Sequence, residues 1–132
     1  MLVRVLGATS LQRGEVRVPI GSRAVRSLLA GLATHPDAAV SIDALSGWVW
    51  GEDLPERPQA ALQTVASRLR RTLRDAGASA EVSNVPGGYR LRIDPDLVDA
   101  ARFETLVRQA RERARRGEDT AAVQRIEHAL AL

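Results

Sequence analysis

The chain contains no cysteine, which removes disulfides, thiolate zinc sites and thiol nucleophiles at once. It contains no lysine either: all 19 basic residues are arginine. Aromatic residues make up 3% of the 132 positions, so a core must be built from leucine, valine, isoleucine and alanine. No apolar run approaches the roughly 18 residues that a bilayer span requires. The start, Met1-Leu2-Val3-Arg4-Val5, alternates like a strand and lacks the three-part layout of a secretion signal. These absences place the chain in the cytoplasm, away from membranes. His35 at a helix end and His128 near the C-terminus join no Asp or Ser constellation, so the expectation is no enzyme, no metal and no cofactor.

What is present suits a soluble globular protein of one domain, or one domain and a fragment: 45% apolar and 27% charged residues. The net charge of +3 is too small for a generic nucleic-acid tail, so affinity for phosphate must come from where the charges sit. Residues 1–93 carry 12 arginines against 8 acids, whereas residues 94–132 carry 7 against 8. The front is basic and the back near neutral. Arginine-only usage beside abundant alanine is also what a GC-rich genome produces.

Periodicity divides the front into short elements. Leu2–Leu6 and Glu15–Ile20 read as strands, the second with Val16, Val18 and Ile20 on one face, Pro19 at a sheet edge, and Arg13-Gly14 turning before it. Ser22 caps a helix whose Val25, Leu28, Leu29 and Leu32 form one stripe, ended by His35-Pro36. Ser41 caps a second helix that buries Ile42, Leu45 and Val49; Gly47 inside it implies close packing against a neighbour. Gly51 to Arg57 is a loop. A third helix is predicted over Pro58–Ala76, with Pro58 first and Gly77 just past the end. Its Leu62, Val65, Ala66, Leu69 and Leu73 fall within an arc of about 100°. Thr64, Ser67 and Arg71 lie opposite, flanked by Gln63, Arg70 and Arg74 on one side and Arg68 on the other.

Five arginines and no acid occupy positions 57 to 74. Like charges three or four residues apart on a helix repel by a few tenths of a kcal/mol per pair. Arg70/Arg74, Arg71/Arg74 and Arg68/Arg71 are such pairs, and an anionic partner relieves them. A hairpin follows: Glu81–Val85 and Tyr89–Ile93 around Pro86-Gly87, a type II turn, with Tyr89, Leu91 and Ile93 inward and Arg90 and Arg92 outward. Beyond Asp94-Pro95, Leu97–Arg116 is helical with Phe103, Leu106, Val107, Ala110 and Ala114 on one face. Asp119–Leu132 is helical again after Gly117, leaving Ile126, Ala129, Leu130 and Leu132 unmatched. Such a pair looks like one unit of a helical repeat, which cannot bury its own apolar face. It reads as a truncated domain or as an appendage packed on the front.

The expected fold is α+β: a winged helix-turn-helix with an N-terminal antiparallel sheet and a C-terminal hairpin wing in residues 1–93, then a repeat-like helical hairpin in residues 94–132. A helix fits the major groove of B-DNA, and a hairpin reaches the neighbouring groove or backbone. The arginine fork meets guanine O6 and N7, or phosphate, with two hydrogen bonds; Gln63 suits adenine, and Thr64 and Ser67 suit base or phosphate. Asn84 offers an amide to phosphate, although turn chemistry explains it equally well.

The runs WVWGEDLPERPQAALQTVASRLRRTL, VPGGYRLRID and DAARFETLVRQARERARRGEDTAAVQRIEHALAL resemble the SARP-type antibiotic-pathway activators of actinobacteria. These join an OmpR/PhoB-type winged helix to a longer helical transcriptional activation domain, of which the first hairpin is present here. The resemblance implies that Arg68 and its neighbours in Ser67-Arg68-Leu69-Arg70-Arg71 enter the major groove. It implies that Trp50 donates its indole N–H to DNA backbone. It further implies that the loop with Glu52, Asp53 and Glu56 faces RNA polymerase, and that protomers sit head to tail on direct repeats. The chain departs from the family in having Val85 where members commonly carry a basic wing residue.

Plainer readings stand beside these. Trp50 also suits a core, Arg90 and Arg92 an ordinary outward strand face, and the loop acids simple solvation. The alternative function is a protein-interaction module with a degenerate winged helix that binds no DNA.

Overall fold

A computed structural model describes all 132 residues. Three strands open the chain as an antiparallel meander: β1 (Leu2–Arg4), β2 (Ser10–Arg13) and β3 (Val16–Pro19), in that order across the sheet. The middle strand escapes a periodicity reading because Ser10-Leu11-Gln12-Arg13 offers a single apolar side chain. That one residue, Leu11, is fully buried and pairs across β1 with Val3. The strand expected there forms, with Val16 and Val18 on one face, but that face is left uncovered. β3 is the outer edge strand, every residue in it is exposed, and Val16 keeps 65% of its surface in water. Pro19 does sit where an edge tolerates it.

Ser22 accepts a hydrogen bond from the Val25 amide and opens α1 (Arg23–Ala33), whose stripe of Val25, Leu28, Leu29 and Leu32 is buried. Ser41 does the same for α2 (Ile42–Trp50) through the Ala44 amide, burying Leu45 and Val49. Gly47 in α2 faces open space, contrary to the expected close packing. The glycine that is crowded is Gly31 in α1. A Cβ there would stand 2.5 Å from a ring carbon of Trp48, so the bare backbone makes room for the indole.

Pro58 takes the first turn of α3 (Pro58–Asp75), and Gly77 follows its end at φ +68°. Leu62, Val65, Ala66, Leu69 and Leu73 are all buried, as the spacing predicts. Each fully buried leucine contributes roughly 1.5–3 kcal/mol of transfer free energy, which fixes the rotation of α3 about its axis. Its polar face is thereby turned outward.

The wing is a three-stranded sheet. β5 (Glu81–Val85) and β6 (Gly88–Arg92) form the predicted hairpin, and β4 (Ala39–Ser41) adds along the far side of β6, giving the order β4-β6-β5. Three residues ending on the Ser41 cap are too few to show an alternation, which is why β4 is invisible in the sequence. Gly88 is required by this third strand, because a Cβ on it would collide with the Val40 carbonyl. Tyr89, Leu91 and Ile93 point into the core as expected.

A 3-10 turn at Pro95–Leu97 precedes α4 (Asp99–Arg115), so the helix starts later than the Leu97 expected. Gly117 at φ +75° then turns the chain into α5 (Asp119–Leu130). In α4, Leu106 and Ala110 are buried but Ala114 is exposed, facing an open apolar hollow that it shares with Ala122, Val123 and Ile126 of α5. Ala129 is buried, so it is not unmatched, whereas Leu130 is 75% exposed.

The link between front and back is continuous. Val3 bridges Val98 in parallel, and Val98 belongs to the same apolar cluster as Val3, Leu11 and Ile93. Asp99, with no exposed surface, accepts from the amides of Val5 (2.8 Å), Leu6 (3.1 Å) and Ala100 (2.7 Å). One buried carboxyl thus ties the end of β1 to the start of α4.

Candidate nucleic-acid interface

The arginines of the front half divide by what they touch. Arg4 donates to Gln12 and to the Leu132 carbonyl, and Arg26 to the carbonyls of Ile20 and Gly21. Arg13 donates to the Ala76 carbonyl just past the end of α3, whose last carbonyls at Leu73 and Arg74 accept from Ala78 and Gly77. By contrast Arg68, Arg71 and Arg74 are exposed and make no side-chain hydrogen bond or ion pair to the protein. The ion pairs of the molecule, Arg113–Glu118, Arg115–Glu112 and Arg116–Glu112, all lie around the α4–α5 turn. The repulsion anticipated from the sequence is therefore left in place.

Gln63, Thr64 and Ser67 are exposed with these arginines along one side of α3. Thr64 also donates from Oγ1 to the Ala60 carbonyl at 3.4 Å, a long bond that a stronger acceptor displaces. The face so formed is about 18 residues of helix with donors at every turn and no carboxyl group until Asp75. It offers hydrogen bonds to base edges and positive charge to phosphates in one surface.

Arg70 and Asn84 fall together but toward each other. Arg70 leaves the exposed face, donating from Nε to the Val82 carbonyl (2.9 Å) and from Nη2 to Asn84 Oδ1 (3.1 Å). Arg90 on β6 is half-buried, and its Nε is shielded from water without an acceptor. Trp50 is half-buried and packs against the core cluster, which favours the packing reading anticipated for it. Glu52, Asp53 and Glu56 are exposed in the loop between α2 and α3, which begins at Gly51 with φ +61°.

Sequence reasoning overlooked Trp48. It is 46% exposed, stacks on His35 with ring centroids 5.6 Å apart and an 8° tilt, and lies over Gly31. Leu54 in the adjoining loop is 53% exposed. The stretch of sequence that holds them carries charge of one sign: from Ser27 to Glu56 the chain has Asp37, Asp43, Glu52, Asp53 and Glu56 and no arginine, and all five acids are exposed. That run of one sign is the signal in the sequence that could have found this surface.

A trihelical core with an outward, unpaired basic helix and a hairpin wing defines the winged-helix class of transcriptional regulators. Residues 18–91 match the family described as transcriptional regulatory protein, C terminal, and the chain belongs to this OmpR/PhoB-type family; the relatives it matches are SARP-family regulators. It is 36% identical over 111 residues to the transcriptional regulator RedD of Streptomyces coelicolor, covering 81% of this chain and 32% of RedD. It is 34% identical over 115 residues to the regulatory protein AfsR of Streptomyces griseus, covering 87% of this chain and 11% of AfsR. The solved structure of Mycobacterium tuberculosis EmbR in complex with a low-affinity phosphopeptide superposes with a TM-score of 0.87 at 28% identity. That match covers 98% of this chain and 35% of EmbR. The chain thus spans about a third or less of these relatives, which are transcriptional regulators and not enzymes. No helix is long and apolar enough to cross a membrane.

Proposed function

We propose that the chain binds double-stranded DNA in a sequence-specific manner as the reading module of a SARP-type transcriptional activator of a secondary-metabolite pathway. The observation that carries this reading is the outward face of α3, where Arg68, Arg71 and Arg74 have no internal partner. In this reading α3 enters the major groove. Arg68, Gln63, Thr64 and Ser67 reach base edges, while Arg71 and Arg74 hold phosphates. The half-buried Trp50 presents its indole edge to the backbone, and Arg90 on the wing reaches phosphate with the part of its guanidinium that remains in water. Residues 1–93 act as the DNA-binding unit and residues 94–132 as the first helices of a helical activation domain.

Trp48 and Leu54, both exposed, and the exposed acids Glu52, Asp53 and Glu56 in the same stretch of chain support a second contact. An exposed aromatic anchored in place, with acids near it in the sequence, suits a basic segment of a protein partner, through cation–π and apolar contacts. RNA polymerase is the partner we assign to it, with protomers placed head to tail on DNA.

Site selection from a random duplex pool with the purified chain tests the reading. The expected product is one short motif recurring in a single orientation, at spacings near a whole helical turn of about 10.5 base pairs. A pool that stays random after repeated rounds removes sequence-specific binding. Enrichment of inverted rather than direct repeats removes the head-to-tail arrangement alone.

A further inference from the structure

β5 is the edge strand of the wing sheet, so alternate carbonyls along it have no ladder partner. Its inner neighbour β6 is held on both sides, by β5 and by β4, where Val40 pairs with Tyr89 and Ser41 with Gly88. On the outer side of β5, Arg70 takes the place a further strand would occupy. The Nε–Nη2 edge of its guanidinium meets the Val82 carbonyl and Asn84 Oδ1, acceptors two residues apart on the same strand. Two parallel donors in one plane match that spacing, which the point charge of lysine does not reproduce. The edge committed here is the same one that would grip a phosphate side-on.

We propose that Arg70 is a positioning residue: it clamps the wing to α3, with Asn84 as its acceptor, and acts on DNA only by fixing the angle between the two reading elements. Neither residue is then a primary phosphate contact. The consequence for DNA rests on the proposed function, whereas the clamp is a property of the free protein.

Two measurements decide it. In nitrogen-edited NMR spectra of the free chain, the Arg70 Nε–H gives a resonance that exchanges slowly with water, while those of Arg68, Arg71 and Arg74 exchange rapidly. A rapidly exchanging Arg70 Nε–H overturns the clamp, even if the chain should ignore DNA and the functional reading fall with it. Second, duplex affinity is followed against salt for Arg70→Ala, Arg70→Lys, Asn84→Ala and the Arg70→Ala/Asn84→Ala pair. Both Arg70 variants bind on the order of tenfold more weakly, as expected for loss of a charge-assisted hydrogen bond, with the salt slope of the parent. The pair is no weaker than Arg70→Ala alone. The contrary result is an Arg70→Lys variant that binds like the parent, an Arg70→Ala slope shallower by about 0.9, and additive losses in the pair, which together make Arg70 a phosphate contact.

Discussion

Replacing Asp99 with alanine lowers the unfolding free energy by about 3 kcal/mol, the largest stability loss expected from any single polar side chain in the molecule. The carboxyl is wholly buried and accepts from Val5, Leu6 and Ala100. Removing it strands these donors, at a cost of about 1–3 kcal/mol for each that water cannot reach. Leu6 is exposed, so its amide finds solvent; Val5 and Ala100 are less accessible, and they carry most of the loss. Asp99→Asn keeps one acceptor oxygen but turns an NH2 group toward amide donors, and falls between the two. Urea denaturation of the three proteins measures the order. An alanine variant within about 0.5 kcal/mol of the parent would show that the junction of β1 and α4 is held by its apolar contacts, Val3 on Val98, instead.

The paired substitution Arg68→Ala/Arg71→Ala reduces affinity for a selected duplex on the order of a hundredfold. The two halves of that loss differ in kind. Arg68, if it reads a base, contributes about 1–3 kcal/mol at the cognate site, and its removal relaxes preference at one position. Arg71, placed opposite the buried arc, weakens all duplexes about equally. Neither substitution disturbs the fold, because both side chains are exposed and unpaired. Gel shifts on cognate and scrambled duplexes separate the effects. An Arg68→Ala protein with unchanged affinity and preference has lost nothing that reads DNA, and an Arg71→Ala loss confined to one sequence reverses the assigned roles.

How much of this was legible beforehand follows from the length and period of each element. α3 is legible to within one residue at its C-terminal end, because a long run of 3.6 periodicity bounded by Pro58 and Gly77 leaves one solution for its buried arc. The wing hairpin was readable from Pro86-Gly87 and the alternation of Tyr89, Leu91 and Ile93. β2 and β4 were not. Strands of four and three residues with one buried apolar side chain each, Leu11 and Val40, exist only because neighbouring strands recruit them. For Val16 and Val18 the alternation gives the strand and its two faces but does not say whether either face is covered. Gly47 was assigned the crowding that belongs to Gly31, since a glycine in a helix announces closeness without naming the neighbour. In the candidate site, spacing fixed which arginines leave the core side of α3. It gave no sign that Arg70 turns back to Val82 and Asn84, a contact twelve to fourteen residues away that depends on where the wing folds.

If the uncompensated charge of α3 is there to meet a polyanion, the affinity of the purified chain for duplex DNA across a salt series tests it most directly. With three to five arginine–phosphate contacts, a log–log slope of roughly −3 to −4.5 is expected, at about 0.9 for each contact. A chain that binds no duplex in dilute buffer, or binds with an affinity indifferent to salt, contradicts it.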